Sequence, residues 1–340
     1  MLKALFGEAV TADARALADD VFPSAQRRPG GALGVGITLA AVGLFCVTMW
    51  WAFSFGWSTI DQRAGHLMIA LPLIFLLYPA FSKRASAMPT LVDWLWAGAA
   101  FAAYLTTIFA QDRIETRIPY FHDVKTQDLI VGIVCVVTVF EATRRTVGMA
   151  IVWINVVFIT YALTGPYWPG VFRHQGTSVD SLVESIYLLP GGLFNFILGL
   201  MATFIFVFLA LGVFMRASRS DRIFTDLAFA AAGHRRGGPA KVAIIGSAFM
   251  GMLSGSSIGN VMTTGSLTIP MMKRVGFKPY VAAAIEATAS VGGVLTPPIM
   301  GATIFILAEF TGRPLVEILA YSALPAFFDD GGKARQLILG

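Results

Sequence analysis

"KVAIIGSAFMGMLSGSSIGNVMTTGSLTIPMMK", residues 241–273, opens and closes on a lysine and carries no charge in between. Two complete membrane crossings and a turn need roughly 40 residues, at about 20 apolar helical residues per passage of a hydrocarbon core about 30 Å thick. Residues 242–272 fall short of that, so with both lysines on one side of the membrane the stretch reads as a re-entrant helical hairpin. Its arms, 242–253 and 261–272, each reach about 18 Å at 1.5 Å per residue. The turn "SGSSIGN" (254–260) is thereby predicted near mid-membrane. Irregular backbone at that depth persists only where protein or a watery cavity satisfies its amides and carbonyls, because each unsatisfied group costs several kcal/mol. Such a turn is an ion or substrate site by design.

The rest of the chain agrees with a membrane setting. Of 340 residues 56% are hydrophobic and 13% charged, and the mean hydropathy is +0.71. The expected fold is an all-α polytopic membrane protein with about eight membrane segments. The formal charge of +5 does not indicate nucleic acid, since the basic residues form short clusters between apolar runs and no aromatic-interleaved patch. Apolar segments are predicted at 33–54, 65–81, 91–110, 128–142, 147–164 and 193–215, with "EATRRTVG" (141–148) either a tight turn or part of one bent helix. Lys and Arg flanking these segments mark the cytoplasmic side. Arg27 and Arg28, Lys83 and Arg84, Arg144 and Arg145, and the run from Arg216 to Lys241 all fall there if every segment crosses. The N-terminus is then cytoplasmic. Residues 1–30 carry Glu8, Asp13, Asp19 and Asp20 where a signal peptide would be apolar, so the first membrane helix is expected to serve as an uncleaved signal. Cys46 and Cys135 lie in apolar runs and read as small buried thiols.

"YVAAAIEATASVGGVLTPPIMGATIFILAEF" (280–310) is long enough to span. Gly292 and Gly293 with Pro297 and Pro298 are expected to break it in the middle, the prolines leaving carbonyls of the preceding turn unpaired. Two neighbouring interrupted elements are a pointer to the binding site of a secondary transporter.

Ser254, Ser256, Ser257, Asn260, Thr263 and Thr264 offer neutral oxygens suited to Na⁺, and Gly255 and Gly259 let carbonyls turn inward. Close helix packing is the plainer explanation for Gly246, Gly251 and Gly265. Glu286 is the one carboxylate well inside a membrane segment; a functional role and a salt bridge to Lys278 compete for it. Ser290 and Thr296 are further oxygen donors. Gly255-Ser256-Ser257-Ile258-Gly259 also matches the nucleophile elbow of serine hydrolases, with Ser257 as nucleophile. That chemistry needs a base, and His66, His122, His174 and His234 sit at segment ends or in loops.

Residues 233–302, from "GHRRGGPAKVAIIG" to "ASVGGVLTPPIMGA", resemble the large membrane subunit of tripartite ATP-independent periplasmic (TRAP) transporters. The region before them is similar to the fused form, in which a small four-helix subunit precedes the large one. The resemblance implies a non-enzymatic permease of a bacterial or archaeal cytoplasmic membrane, coupled to Na⁺ or H⁺ and without other cofactor or metal. A separate periplasmic solute-binding protein, of the TAXI type for fused permeases, would deliver a small solute such as a carboxylate. Transport would follow an elevator motion of a hairpin-bearing domain against a scaffold. On this basis residues 1–30 are a cytoplasmic segment, 31–146 the small-subunit-like scaffold and 147–240 the start of the large-subunit scaffold. Residues 241–327 form half a transport domain, and 328–340 an atypical polar tail. The first cation site falls to Ser254, Gly255, Ser256, Asn260, Thr296 and Pro297. Thr263, Thr264, Glu286, Ser290, Gly292 and Gly293 serve substrate or coupling. Members of the family carry a second, inverted half, so the resemblance implies a truncated chain, either a non-transporting fragment or assembly subunit or one completed by a second polypeptide.

Overall fold

The computed structural model describes residues 27, 29–54, 58–80, 88–207, 210–211, 214, 218, 220–234, 237–255, 257–297, 300–301 and 303–339, with backbone only at 204, 220–222, 225, 253–254 and 330–339. The chain is an all-helical, multi-pass membrane protein. Among the described residues there is no strand, and five helices are long and apolar enough to cross a membrane. The chain divides into two compact units, Met1–Thr203 and Phe204–Gly340.

In the first unit α1 is Gly31–Phe53, α2 Thr59–Leu77, α3 Leu91–Phe109, α4 the short Gln111–Glu115, α5 Thr126–Thr146 and α6 Met149–Thr164. α7, Val179–Val183, runs into a wider π turn over Glu184–Leu188, and α8, Phe196–Leu200, into another over Met201–Ile205. The predicted crossing at 193–215 is thus helical only from Phe196, with a π distortion over Met201–Ile205. Ala97, Ala100 and Ala103 repeat at helical spacing along α3, and their small side chains admit the close approach of α2. Tyr104 and Tyr187 fill the centre of this core, with Thr107 Oγ1 and the Tyr187 hydroxyl 2.9 Å apart. α6 buries no residue, and its predominantly apolar surface is suited to lipid.

The stretch 141–148 is a true break between two helices. α5 ends at Thr146, and Gly148, with φ +119° and ψ 174°, turns the chain into α6. Only glycine adopts that backbone without strain.

Charge gathers at both ends of this unit. At one end Asp93, at the start of α3, is buried between Arg27 (2.8 Å) and Arg145 (2.7 Å), and Arg145 also reaches Glu141 at 2.7 Å. Arg145 donates to the Tyr78 carbonyl just beyond α2, and Arg27 to that of Leu76. Carbonyls at a helix C-terminus lack intrahelical donors, so these arginines complete α2 while neutralising Asp93. Arg144 binds Glu141 at 2.7 Å, so Arg27, Arg144 and Arg145, which sequence assigned to one side of the membrane, meet at one end of the bundle; Arg28, Lys83 and Arg84 lie outside the described residues. At the other end Arg113 grips Asp128 with two bonds of 2.5 and 2.6 Å, and that carboxylate holds the Arg113 guanidinium above its usual pKa. Glu184 accepts from Arg117 (3.1 Å) and from the amide of Tyr120 (2.9 Å).

In the second unit α9 is Ser220–Ala232, α10 Gly238–Ser254, α11 Ser257–Arg274, α12 Pro279–Val294, α13 Thr303–Thr311 and α14 Leu315–Leu339. Pro239 and Pro279 each stand in the first turn of their helix, where a missing amide hydrogen costs nothing. α14 remains helical through the stretch read as an atypical tail from 328 onward, Gly331 and Gly332 included. The loss of apolar character there did not end the helix.

Candidate functional site

α10 and α11 form the hairpin that the sequence predicts, with longer arms and a shorter turn. The arms hold 17 and 18 residues, about 25 and 27 Å at the α-helical rise, and the seven-residue turn contracts to two positions. Gly255 takes the left-handed conformation at φ +59°, and its amide returns to the Gly251 carbonyl at 2.9 Å. This closes α10 in the manner of a glycine C-cap. Ser257, Gly259 and Asn260 are consequently helical members of α11 rather than loop residues. Ser257 makes no hydrogen bond to a histidine among the described residues, so the elbow pattern lacks its base.

The second predicted interruption begins after Val294 and runs to Thr303. Gly292 and Gly293, expected to open it, are instead buried inside α12. The tight reverse at its far side comes from Met300, at φ +58°, and from the Gly301 amide bonding back to Val294 at 3.1 Å. Gly293 serves packing: a Cβ there would collide with the Ser247 carbonyl and lie 2.9 Å from the Asn260 amide nitrogen. Gly251 faces the Gly293 backbone in the same way. Ser247-x-x-x-Gly251 on α10 and Ala289-x-x-x-Gly293 on α12 are therefore small-residue pairs through which two helix backbones touch.

The hairpin turn and the break lie side by side. A Cβ on Gly255 would sit 2.5 Å from the Met300 carbonyl oxygen, and one on Gly301 3.4 Å from the Gly255 carbonyl. Two helix interruptions thus share one locus; the carbonyls before Pro297 are not left unpaired as expected, since those of Gly292, Gly293 and Val294 accept from the amides of Leu295, Thr296 and Gly301. Thr296 Oγ1 donates to the Gly292 carbonyl at 3.3 Å, and Pro297 follows it at the edge of the break. Ser254 is described by its backbone only, at the end of α10, and Ser256 lies outside the described residues.

Deeper among α10, α11 and α12, Glu286 is fully buried in a cage of hydroxyls. Its Oε1 accepts from Thr264, from Ser247 at 3.2 Å and from Ser290 at 3.4 Å; its Oε2 accepts from Thr268. Asn260, also fully buried, donates from Nδ2 to the Ser247 carbonyl at 2.8 Å, stitching α11 to α10. Gly265 leaves room for the Glu286 stem, since a Cβ would lie 2.9 Å from its Cγ. The salt bridge to Lys278 does not form; Lys278 Nζ lies 6.0 Å from the centroid of the Tyr280 ring instead.

Of the residues singled out from sequence, Asn260, Thr264, Glu286, Ser290 and Gly293 come together, and Gly255 joins the turn-and-break locus. Thr263 stands apart, bonded to the Gly259 carbonyl at 2.5 Å. Ser247 and Thr268 were missed. Their signal was spacing: Ser247 stands four residues before Gly251, and Thr268 four after Thr264.

The chain is thus an all-helical multi-pass membrane protein whose second unit pairs a helical hairpin with a broken helix. Residues 134–330 match the family described as tripartite ATP-independent periplasmic transporter, DctM component. The chain belongs to that family and is not an enzyme. An isethionate TRAP transporter permease protein DctMQ of Oleidesulfovibrio alaskensis is 42% identical over 27% of this chain and 14% of its own length. A C4-dicarboxylate TRAP transporter large permease protein DctM of Pseudomonas aeruginosa is 36% identical over 31% of this chain and 24% of its own. An uncharacterized protein of Sinorhizobium fredii, y4mL, is 33% identical over 35% of this chain and 28% of its own. The matches span between 14% and 28% of the length of these relatives. No solved structure matches the chain.

Proposed function

We propose that the chain forms the scaffold and one hairpin-bearing half of a fused TRAP permease that takes up a small organic anion with Na⁺. The observation that carries this reading is the abutment of Gly255 with Met300 and Gly301. Two interrupted helices that abut at one point, with main-chain carbonyls and side-chain oxygens close together, make a site for a weakly charged cation bound by neutral oxygens. Ser254, Gly255, Ser256, Asn260, Thr296 and Pro297 are the residues of that site. Thr263, Thr264, Glu286, Ser290, Gly292 and Gly293 form its coupling and substrate side. With Lys241 and Lys273 both cytoplasmic, the hairpin is re-entrant, the N-terminus is cytoplasmic, and the second unit is the moving part of an elevator. The solute arrives on a periplasmic binding protein, as the family membership supports. The names of two relatives, one an isethionate and the other a C4-dicarboxylate permease, agree on an organic anion as cargo. The membrane is the bacterial or archaeal cytoplasmic one.

The test is the melting temperature of the purified chain in NaCl against choline chloride at equal ionic strength. A ligand held only by the folded state stabilises it by about 2.7 kcal/mol at a hundredfold excess over its Kd. Na⁺ should raise the melting temperature of the wild type, and Asn260→Ala should erase the difference between the two salts. Identical melting in both salts overturns the assignment of the cation site. Uptake of labelled C4-dicarboxylate into proteoliposomes by the permease with its binding protein tests transport itself.

A further inference from the structure

Among the described residues, Glu286 is a carboxyl group with no cation bonded to it. The titratable and charged groups on the helices packed around it are Lys241 on α10, Lys273 and Arg274 on α11, and Lys278 and Tyr280 on or beside α12. Glu317, Tyr321 and Asp329 on α14 complete the set among the described side chains. None is bonded to Glu286, whose partners are four neutral hydroxyls. Burying an ionised carboxylate without a counter-charge is costly, and a group so placed takes up a proton instead.

The count of hydrogens in the cage points the same way. Thr264 Oγ1 lies 2.9 Å from the Asn260 carbonyl as well as against Glu286 Oε1. Thr268 Oγ1 lies 3.0 Å from the Thr264 carbonyl as well as against Oε2. Each threonine has one hydrogen for two acceptors. When the carboxyl carries a proton, it can donate to one of these hydroxyls, which then turns its own hydrogen to the helix carbonyl four residues earlier. When the proton leaves, both hydroxyls can swing to the carboxylate, with Ser247 and Ser290 adding donors to Oε1. Both protonation states are satisfied by rotating hydroxyls, with no displacement of a helix.

We infer that Glu286, with Thr264 and Thr268 as its relay, is a proton-binding site built into the contact of α10, α11 and α12. The inference stands on this cage alone and holds whether or not the chain transports Na⁺.

Infrared difference spectroscopy of the purified chain in detergent, in H₂O and in D₂O, tests it. The wild type at neutral pH should show the carbonyl stretch of a protonated carboxylic acid, shifted in D₂O, that disappears in Glu286→Gln. Alkaline titration should replace it with carboxylate bands. A wild-type spectrum without that band, or a band unchanged in Glu286→Gln, overturns the proposal. If Glu286→Gln does not fold, Thr268→Val serves. Loss of its hydrogen-bonding partner should move the band without abolishing it, and a band that stays in place overturns the relay.

Discussion

Gly251 on α10 and Gly293 on α12 meet backbone to backbone: a Cβ on Gly251 would fall 2.6 Å from the Gly293 Cα. Neither position has space for a methyl group, and the obstacle is main chain, which cannot rotate away. Gly251→Ala is expected to destabilise the second unit by about 1–3 kcal/mol, the range for overpacking a close contact. Gly246, five residues earlier, would place its Cβ 3.8 Å from that of Ala228, an ordinary contact. Gly246→Ala should therefore stabilise, by up to about 1 kcal/mol from helix propensity. Thermal unfolding of both variants in detergent decides; equal effects would show that the contact between α10 and α12 is looser than described.

Ser247 joins that contact to the carboxyl cage, its carbonyl accepting from Asn260 and its hydroxyl lying within reach of Thr264, Glu286 and Ser290. Ser247→Ala removes the hydroxyl and keeps the backbone. The expected loss is about 1–2 kcal/mol, the size of a buried hydrogen bond including a charged or polar partner left short of a donor. A variant as stable as the wild type would reduce Ser247 to a spacer.

Asp93 separates two arginines buried with it. Asp93→Ala leaves Arg27 and Arg145 without their shared anion and is expected to cost about 3 kcal/mol, the low end for a buried pair broken from one side. Arg145 retains Glu141, so Arg27 bears most of the loss. Proteolysis in detergent should cut the variant near α2 and α3 faster than the wild type; equal rates would contradict the clamp.

Gly148 carries the turn between α5 and α6 at φ +119°. Gly148→Ala forces a side chain into that backbone region and is expected to cost about 1–3 kcal/mol. No neighbouring atom opposes the new Cβ, so the effect isolates backbone strain from packing. A melting temperature equal to that of the wild type would mean that α5 and α6 reorganise into one bent helix.

Much of the helical layout was legible in the order of residues. The helices at 31–53, 91–109, 126–146 and 149–164 lie close to the apolar runs, because a membrane-length run of apolar residues has few other ways to satisfy its backbone. The site was legible in part. Glu286, Thr264, Ser290 and Asn260 stand out as polar groups in apolar surroundings. Ser247 and Thr268 look like ordinary helix residues until a neighbouring helix places a carboxylate beside them.

The hairpin shows the limit most plainly. The order of residues led to the expectation that 241–273 turn back on themselves, from an uncharged stretch too short for two full crossings between lysines taken to lie on one side. It could not tell that the turn shrinks to Gly255 and its neighbour, nor that Asn260 lies within a helix, since helix ends depend on which carbonyls find partners. Nor could it choose between Lys278 and the hydroxyls for Glu286. Both are close in sequence or composition, but only the packing of α10 and α11 against α12 fixes which atoms come within bonding distance. Chain-local forces set where helices form; contacts between residues far apart in sequence set what their side chains can do.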